Sequence, residues 1–114
     1  TWSLPGGKID FGEKAKDSIW REVYEETSIR LNKNKMKIIT IQDEIVPDAH
    51  YLTLGWLCRD FLGEAKVMEP DEMTKWKWFD INNLPSPLYK PAIPMLKTYK
   101  KKHTRKKGFF RNLF

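Results

Sequence analysis

The stretch LPGGKIDFGEKAKDSIWREVYEETSI, from Leu4 to Ile29, gathers several carboxylates within one predicted helix. Good helix formers run without Pro or Gly from Glu13 to about Ser28. The predicted inward face repeats every four residues and consists of Ala15, Ile19, Val23 and Thr27. On the same helix Glu22, Glu25 and Glu26 fall within an arc of about 100°. Like charges at this spacing repel one another. The sequence therefore predicts either a solvated acidic face or a divalent-cation site, because Mg²⁺ and Mn²⁺ prefer carboxylate oxygens.

The residues before this helix favour the cation site. The turn at residues 5–7 (PGG) lets the backbone approach a ligand closely, and Lys8 follows it with a positive charge suited to phosphate. Glu13 lies six residues after Gly7, and the pair Arg21-Glu22 begins eight residues later. A glycine turn, a lysine and acids at these spacings are together much more specific than a lone glycine turn or a lone acidic run.

This spacing resembles the Nudix box, G-x5-E-x7-R-E-U-x-E-E-x-G-U, where U is a bulky aliphatic residue. The matching residues are Gly7, Glu13, Arg21, Glu22, Val23, Glu25, Glu26 and Ile29. The one departure is Ser28, which stands where the pattern has Gly at the end of the helix. Gly adopts the left-handed conformation there with little strain, so we expect Ser28 to cost about 1 kcal/mol of stability without removing a ligand.

The resemblance covers residues 1–102 and points to the MutT-like branch of nucleoside-triphosphate diphosphatases, especially those that act on modified purines. It rests further on His50–Thr53 (HYLT), on Trp76–Asp80 (WKWFD) and on Leu84-Pro85. It implies an α+β fold, an α/β/α sandwich-like mixed β-sheet flanked by helices. Because such folds normally begin with strands that precede the TWSLPGG equivalent, we expect a chain truncated at its N-terminus.

The resemblance also implies a chemistry, the hydrolysis of a nucleoside triphosphate to a nucleoside monophosphate and pyrophosphate. The cofactor would be Mg²⁺, with Mn²⁺ as a substitute, and its ligands would be Glu22, Glu25, Glu26 and the Gly7 carbonyl. Glu22 could also act as the base, Arg21 would orient a neighbouring carboxylate, and Glu13 would support the loop or a second metal. Lys8 would contact a phosphate oxygen. The residues expected to bind substrate are Gly6, Gly7, Lys8, Tyr51 and Thr53.

The roles of three side chains, those of Trp76, Trp78 and His50, have alternative interpretations. Trp76 and Trp78 could stack on a base, although packing in the core is the favoured interpretation for each. His50 is interpreted as a polar residue at a strand edge rather than as a ligand.

The remaining pattern predicts strands and a second helix. The predicted strands are Trp2–Leu4, Met36–Val46, His50–Leu62, a short strand or edge over Glu64–Met68, and Lys75–Asp80. The strand over 50–62 is largely apolar, which predicts burial on both faces. The last helix is predicted from Pro91 to about Lys102, packed through Ile93, Leu96 and Tyr99.

Charge is concentrated at the C-terminus. The chain carries a net charge of +6, yet residues 97–114 hold eight basic and no acidic residues, which leaves residues 1–96 at −2. Residues 103–114 are thus set apart as a basic and aromatic tail. We expect a solvated extension of the last helix, with contact to an anionic membrane or to RNA as the less favoured alternative.

Two features of the composition bear on the cellular compartment of the protein. No stretch approaches the roughly 18 apolar residues of a membrane span, and the single cysteine, Cys58, excludes an intrachain disulfide. Both features suit a cytoplasmic protein, although the first residue is not Met and an organellar targeting segment could precede it.

The expected partner is the nucleotide substrate, with no stable nucleic-acid partner and with a homodimer as an option. Alternative functions are hydrolysis of nucleoside-diphosphate sugars or ADP-ribose, and a non-catalytic nucleotide- or RNA-binding module.

Overall fold

The computed structural model describes residues 1–71, 73–102 and 107–113. The strands are β1 (Trp2–Ser3), β2 (Arg30–Leu31), β3 (Lys37–Val46), β4 (Ala49–Leu57), β5 (Phe61–Leu62), β6 (Met73–Asp80) and β7 (Lys107–Leu113). The helices are α1 (Ala15–Thr27), α2 (Ala92–Lys102) and a 3₁₀ turn (Lys33–Lys35). The predicted helices and the predicted strands near residues 2, 36–46 and 75–80 are all present, so the main elements are confirmed.

The strands form three small antiparallel groups. β3 and β4 make a hairpin around Pro47-Asp48, β2 pairs with β5, and β7 lies between β1 and β6. An isolated parallel bridge joins Trp2 to Leu88. With one helix packed on each of two apolar clusters, the chain has the α+β organisation that the sequence predicts.

Helix α1 ends where its sequence departs from the family pattern. Ser28 has a φ of 69°, in the left-handed region, and its N–H donates to the Tyr24 carbonyl at 2.8 Å. The Thr27 hydroxyl, fully buried, donates to Val23 O at 2.6 Å and accepts from Ile29 N at 3.0 Å. The first bond satisfies a carbonyl of the last helical turn, and the Thr27 hydroxyl bridges the helix to the residue that follows its cap.

Helix α2 covers the larger of the two clusters. Its Ala92, Leu96 and Tyr99 are buried with Ile81, while Ile93 of the predicted stripe is only half-buried. The residues packed around them come from β1, the hairpin, β6 and the following turn, and they include Trp2, Leu4, Ile39, Leu57 and Phe79. Because Trp2 and Leu4 pack in this cluster, it fixes β1 and the start of the loop that follows β1.

Two predictions for the middle of the chain are wrong. The predicted strand over 50–62 is divided between β4 and β5, and the hairpin leaves one face exposed. The solvent-accessible fractions are 65% for Ile41, 74% for Ile45 and 65% for Leu52, because a two-stranded hairpin covered by α2 buries only its inner face. Residues 64–68 form no strand. Lys66 N and Met68 N instead donate to the Thr27 and Glu26 carbonyls at the end of α1, groups that need hydrogen-bond donors.

The C-terminal segment also differs from the prediction. Residues 107–113 form β7, which pairs with β1 and β6 on its two sides, so they do not extend α2 into solvent. The physical reason is that both neighbouring strands present unpaired backbone groups that a third strand satisfies. Residues 103–106 and Phe114 lie outside the described residues, and the division into a domain and a tail at residue 102 stays a prediction. No helix in the described ranges is long and apolar enough to cross a membrane.

Candidate functional site

The predicted glycine turn and the acidic helix are in direct contact. The chain leaves β1, passes through residues 4–8 and reaches α1 after a second turn at Gly12, where φ is +83°. A Cβ added to Gly7 would lie 2.7 Å from Glu22 Oε1 and closer still to the other carboxylate atoms. Only glycine therefore lets the loop approach the Glu22 carboxylate this closely, which explains why the residue type is needed at this position.

Arg21 is the centre of an ion-pair network. Its Nε and Nη2 donate to the two Glu13 oxygens at 2.8 and 3.0 Å, a bidentate pair. Its Nη1 donates to both Glu22 Oε1 and Glu25 Oε2 at 3.1 Å, and Nη2 lies 3.2 Å from Asp10 Oδ2. Arg21 thus contacts three carboxylates of the predicted motif, and its role in orienting one of them stays a prediction.

The network changes the acid–base properties of its members. Hydrogen bonds from Arg21 lower the pKa of Glu13 to about 2, because they favour the charged carboxylate. The same bonds, with those to Glu25 and Glu22, raise the pKa of Arg21 above its ordinary value. Glu13 also accepts from Asp10 N at 3.4 Å. Glu13 is therefore ionised at neutral pH, and its hydrogen bonds link Arg21 to the loop before α1.

Glu26 is tied to the loop by a different contact. Its side chain is buried, with 2% of the residue exposed, and Oε1 accepts from Gly6 N at 3.3 Å. Its carbonyl accepts from the Trp76 indole Nε1–H at 3.1 Å. Trp76 therefore packs and hydrogen-bonds behind α1, which agrees with the core interpretation. The same interpretation is wrong for Trp78, which is 40% exposed and stacks on Phe61 at the surface with ring centroids 5.6 Å apart.

The predicted metal ligands are near the loop but do not converge. Within the described ranges, no three Asp, Glu, His or Cys side chains lie close enough together to hold a metal ion. Glu22 and Glu25 both face Arg21, and Glu26 faces Gly6. Two observations nevertheless fit a divalent ion: the predicted donors, three carboxylates and one backbone carbonyl, are all hard oxygens, and the space beside Glu22 is one that any side chain at Gly7 would fill.

The predicted substrate residues are brought together in part. The Lys8 ammonium lies over the Tyr51 ring, with Nζ 5.7 Å from its centroid. Thr53 faces Gln42 across the hairpin, on the same face as Tyr51. His50 lies elsewhere, on the outer face, where Nε2 is 2.7 Å from Asp43 Oδ1. Its position is that of a polar residue near a strand end, as the sequence predicts.

The inner face of the hairpin adds residues that sequence reasoning missed. Gln42 Nε2 donates to Glu44 Oε1 at 2.6 Å and to Pro91 O at 2.8 Å. Gln42 Oε1 and Thr40 Oγ1 are buried and accept or donate no hydrogen bond within the part of the chain described here. Thr40, Gln42 and Glu44 occupy alternate positions of β3 and so share one face, but Asp43 interrupts the alternation of polar and apolar residues, so the sequence held no clear signal for them.

Comparison with known proteins identifies the family. A family model described as the NUDIX domain matches residues 1–99. An uncharacterized Nudix hydrolase, YvcI of Bacillus subtilis, is 32% identical over 88 residues, which cover 73% of this chain and 53% of that protein. An RNA pyrophosphohydrolase of Bartonella clarridgeiae is 36% identical over 107 residues, covering 75% of this chain and 60% of that protein.

A solved structure agrees with these matches. The crystal structure of a MutT NUDIX hydrolase from Burkholderia pseudomallei gives a TM-score of 0.80 at 32% identity, covering 85% of this chain and 75% of that chain. The present chain spans between about half and three-fifths of the two curated relatives. The family model covers most of the sequence and the MutT structure shares its fold, so the chain belongs to the Nudix family.

Proposed function

We propose that the protein hydrolyses a nucleoside triphosphate, with Mg²⁺ as cofactor, to a nucleoside monophosphate and pyrophosphate. One observation carries this proposal: the Gly7 backbone lies against the Glu22 carboxylate. That contact unites the two halves of the predicted motif, a loop able to approach phosphates and an acidic helix. A modified purine nucleoside triphosphate is the preferred substrate class, on the strength of the resemblance to the MutT-like branch.

The metal would be held by Glu22, Glu25, Glu26 and the Gly7 carbonyl, and Mn²⁺ is expected to substitute. When bound, a divalent ion supplies positive charge for the polyphosphate and lowers the pKa of a water molecule. The placement of the acids supports the need for this charge. Two of the proposed ligands, Glu22 and Glu25, share a single guanidinium nitrogen of Arg21, which offsets a repulsion that a divalent ion would offset more completely.

The chain's own residues would then position the phosphates and deprotonate the attacking water. Glu22 is the proposed ligand and a candidate base for the attacking water, and its side chain is only 19% exposed. Arg21, fixed by Glu13, sets the direction of the Glu22 carboxylate. Lys8 would contact a phosphate oxygen, and the Gly6 N–H, which donates to Glu26 Oε1, would keep the loop against α1.

Base recognition is proposed on the inner face of the hairpin. Gln42 Oε1 and Thr40 Oγ1 are polar atoms without a hydrogen-bond partner in the described part of the chain, and Thr53 stands opposite Gln42. Buried polar atoms in this state cost free energy unless a ligand or water satisfies them. A nucleobase bearing N–H groups is a suitable ligand for these acceptors.

A second candidate substrate is the 5′-triphosphate end of an RNA chain. It is favoured by the similarity to relatives named RNA pyrophosphohydrolase, at 31–36% identity. The bond attacked and the product pyrophosphate would be the same, and the two candidates differ only in whether the first nucleotide is free or joined to a longer chain. The eight basic residues after residue 96 would be available to phosphates of such a chain.

A panel assay separates these functions. The protein, with Mg²⁺, is given free nucleoside triphosphates, modified purine triphosphates, a 5′-triphosphorylated RNA oligonucleotide, ADP-ribose and a nucleoside-diphosphate sugar. Pyrophosphate release from free triphosphates, abolished in Glu22→Gln without loss of folding, is the expected result. Release from RNA alone would support the second candidate. Hydrolysis of the diphosphate-linked compounds alone, or nucleotide binding without cleavage of any substrate, would contradict the proposal.

A further inference from the structure

The contact between Lys8 and Tyr51 joins the loop at residues 4–8 to the hairpin of β3 and β4. Lys8 follows the Gly7 backbone that approaches Glu22, and Tyr51 lies on β4, far along the chain. The Lys8 ammonium is 5.7 Å from the centre of the Tyr51 ring, within the range of a cation–π interaction. Tyr51 is 46% exposed, so the position of its ring is not imposed by burial in the core.

The two cations beside the acidic site are held in different ways. Arg21 is committed to carboxylates, namely Asp10, Glu13, Glu22 and Glu25. Lys8 forms no ion pair with any residue that the structure describes. This difference matters because a carboxylate partner largely offsets the charge of an ammonium group, whereas the face of an aromatic ring attracts the ammonium and leaves its net charge unchanged.

We infer that Tyr51 is a positioning residue that holds the Lys8 ammonium for the phosphates of the substrate and contributes to binding through Lys8 rather than by contact with a base. The inference rests on the proposed polyphosphate substrate. It also distinguishes Tyr51 from Thr53 and Gln42, which lie further along the same face of the hairpin and carry the groups suited to a base.

The inference predicts an effect that is independent of the base. Calorimetry would measure the Kd of Mg²⁺ tripolyphosphate, which has no base, and of a non-hydrolysable nucleoside triphosphate with Mg²⁺. In Tyr51→Leu we expect both ligands to bind about two- to fivefold more weakly, the range given by an exposed cation–π interaction. Tyr51→Phe keeps the ring face and is expected to bind both ligands like the wild type.

A double mutant supplies the decisive comparison. In a Lys8→Met background, Tyr51→Leu should cause no further loss for either ligand, because the ring then has no ammonium to hold. Circular dichroism and the melting temperature of each variant check that the hairpin is folded.

Different outcomes overturn different proposals. A loss in Tyr51→Leu that is seen only with the nucleotide would make Tyr51 a base-contacting residue and refute the inference. A loss that persists in Lys8→Met would show that Tyr51 acts independently of Lys8 and would refute it too. An equal loss in Tyr51→Phe would assign the effect to the hydroxyl group and refute it also. Wild-type protein that binds both ligands but hydrolyses no triphosphate would overturn the proposed activity while the affinities still test Tyr51. Wild-type protein that binds neither ligand would overturn both proposals.

Discussion

Adding one methyl group at Gly7 should slow catalysis without unfolding the protein. In Gly7→Ala the new Cβ would stand 2.7 Å from Glu22 Oε1, whereas ordinary van der Waals contact begins at 3.4 Å. The obstructing atoms belong to the end of a flexible side chain, so the Glu22 carboxylate will move and the backbone will stay. The required displacement is about 0.7 Å, and it is larger for the atoms that lie closer.

The size of the effect follows from this displacement. A misplacement of about 1 Å in a catalytic constellation costs up to roughly 100-fold in rate, which corresponds to about 2.7 kcal/mol of activation free energy. For Gly7→Ala we therefore expect kcat/KM for the best triphosphate to fall by about 10- to 100-fold. The φ of Gly7 is outside the left-handed region, so the free energy of unfolding should change by less than about 1 kcal/mol.

The adjacent glycine provides a matched control. A Cβ at Gly6 would meet only Ile19 Cδ1, at 3.8 Å, and the Gly6 N–H that bonds to Glu26 is kept in alanine. Steady-state kinetics and urea denaturation of both variants would be compared with the wild type, and Gly6→Ala should resemble it. Full activity in Gly7→Ala would show that the Glu22 position is not critical. An equal loss in both variants would point to loop rigidity rather than to the Glu22 carboxylate.

Three further variants test local features at the two ends of α1. Ser28→Gly should raise the free energy of unfolding by about 0.5–1 kcal/mol, because Ser28 occupies the left-handed region at φ 69°, and unchanged urea denaturation would contradict this. Thr27→Val should lower it by about 1–3 kcal/mol, since the Val23 carbonyl and the Ile29 N–H lose a buried partner; a change below about 0.5 kcal/mol would refute that role. Glu13 has a pKa of about 2 against an ordinary 4.5, so its ionised form stabilises the folded protein above pH 4.5, and this contribution is lost as the pH falls from 4.5 towards 2. The stability of Glu13→Gln should accordingly fall less steeply than that of the wild type between those pH values, measured by thermal unfolding in a pH series, and parallel curves would count against the Arg21 pair.

The local part of the site was predictable from sequence because helical geometry fixes it. Side chains three and four positions apart on α1 are neighbours on its surface, and so the spacing alone brings Arg21 beside Glu25 and groups Glu22 with Glu25 and Glu26. The left-handed end of the helix at Ser28 followed in the same way from the family pattern. The burial of Glu26 did not follow, because it depends on how the loop and Trp76 close over α1 rather than on the helix itself.

Contacts between distant segments were not predictable. The pairing of Lys8 with Tyr51 and of Gln42 with Pro91 depends on how the hairpin lies against the loop and α2, which no local pattern encodes. The structure of residues 107–113 was predicted wrongly for another reason. Their positive charge favours solvent, but the backbone of 107–113 pairs with two open strand edges, and edge availability is a property of the whole fold.

Because β7 pairs with β1, the position of the loop at residues 4–8 depends on residues 107–113. Trp2 and Ser3 pair with Asn112 and Arg111, and the next residues along the chain lead into the glycine turn. Proteolytic cleavage near residue 110, or a bulky fusion after it, would therefore remove or disturb the β1–β7 pairing that holds the start of this loop. Preparations of this protein that differ only in their C-terminal tags should not be assumed to have equal turnover.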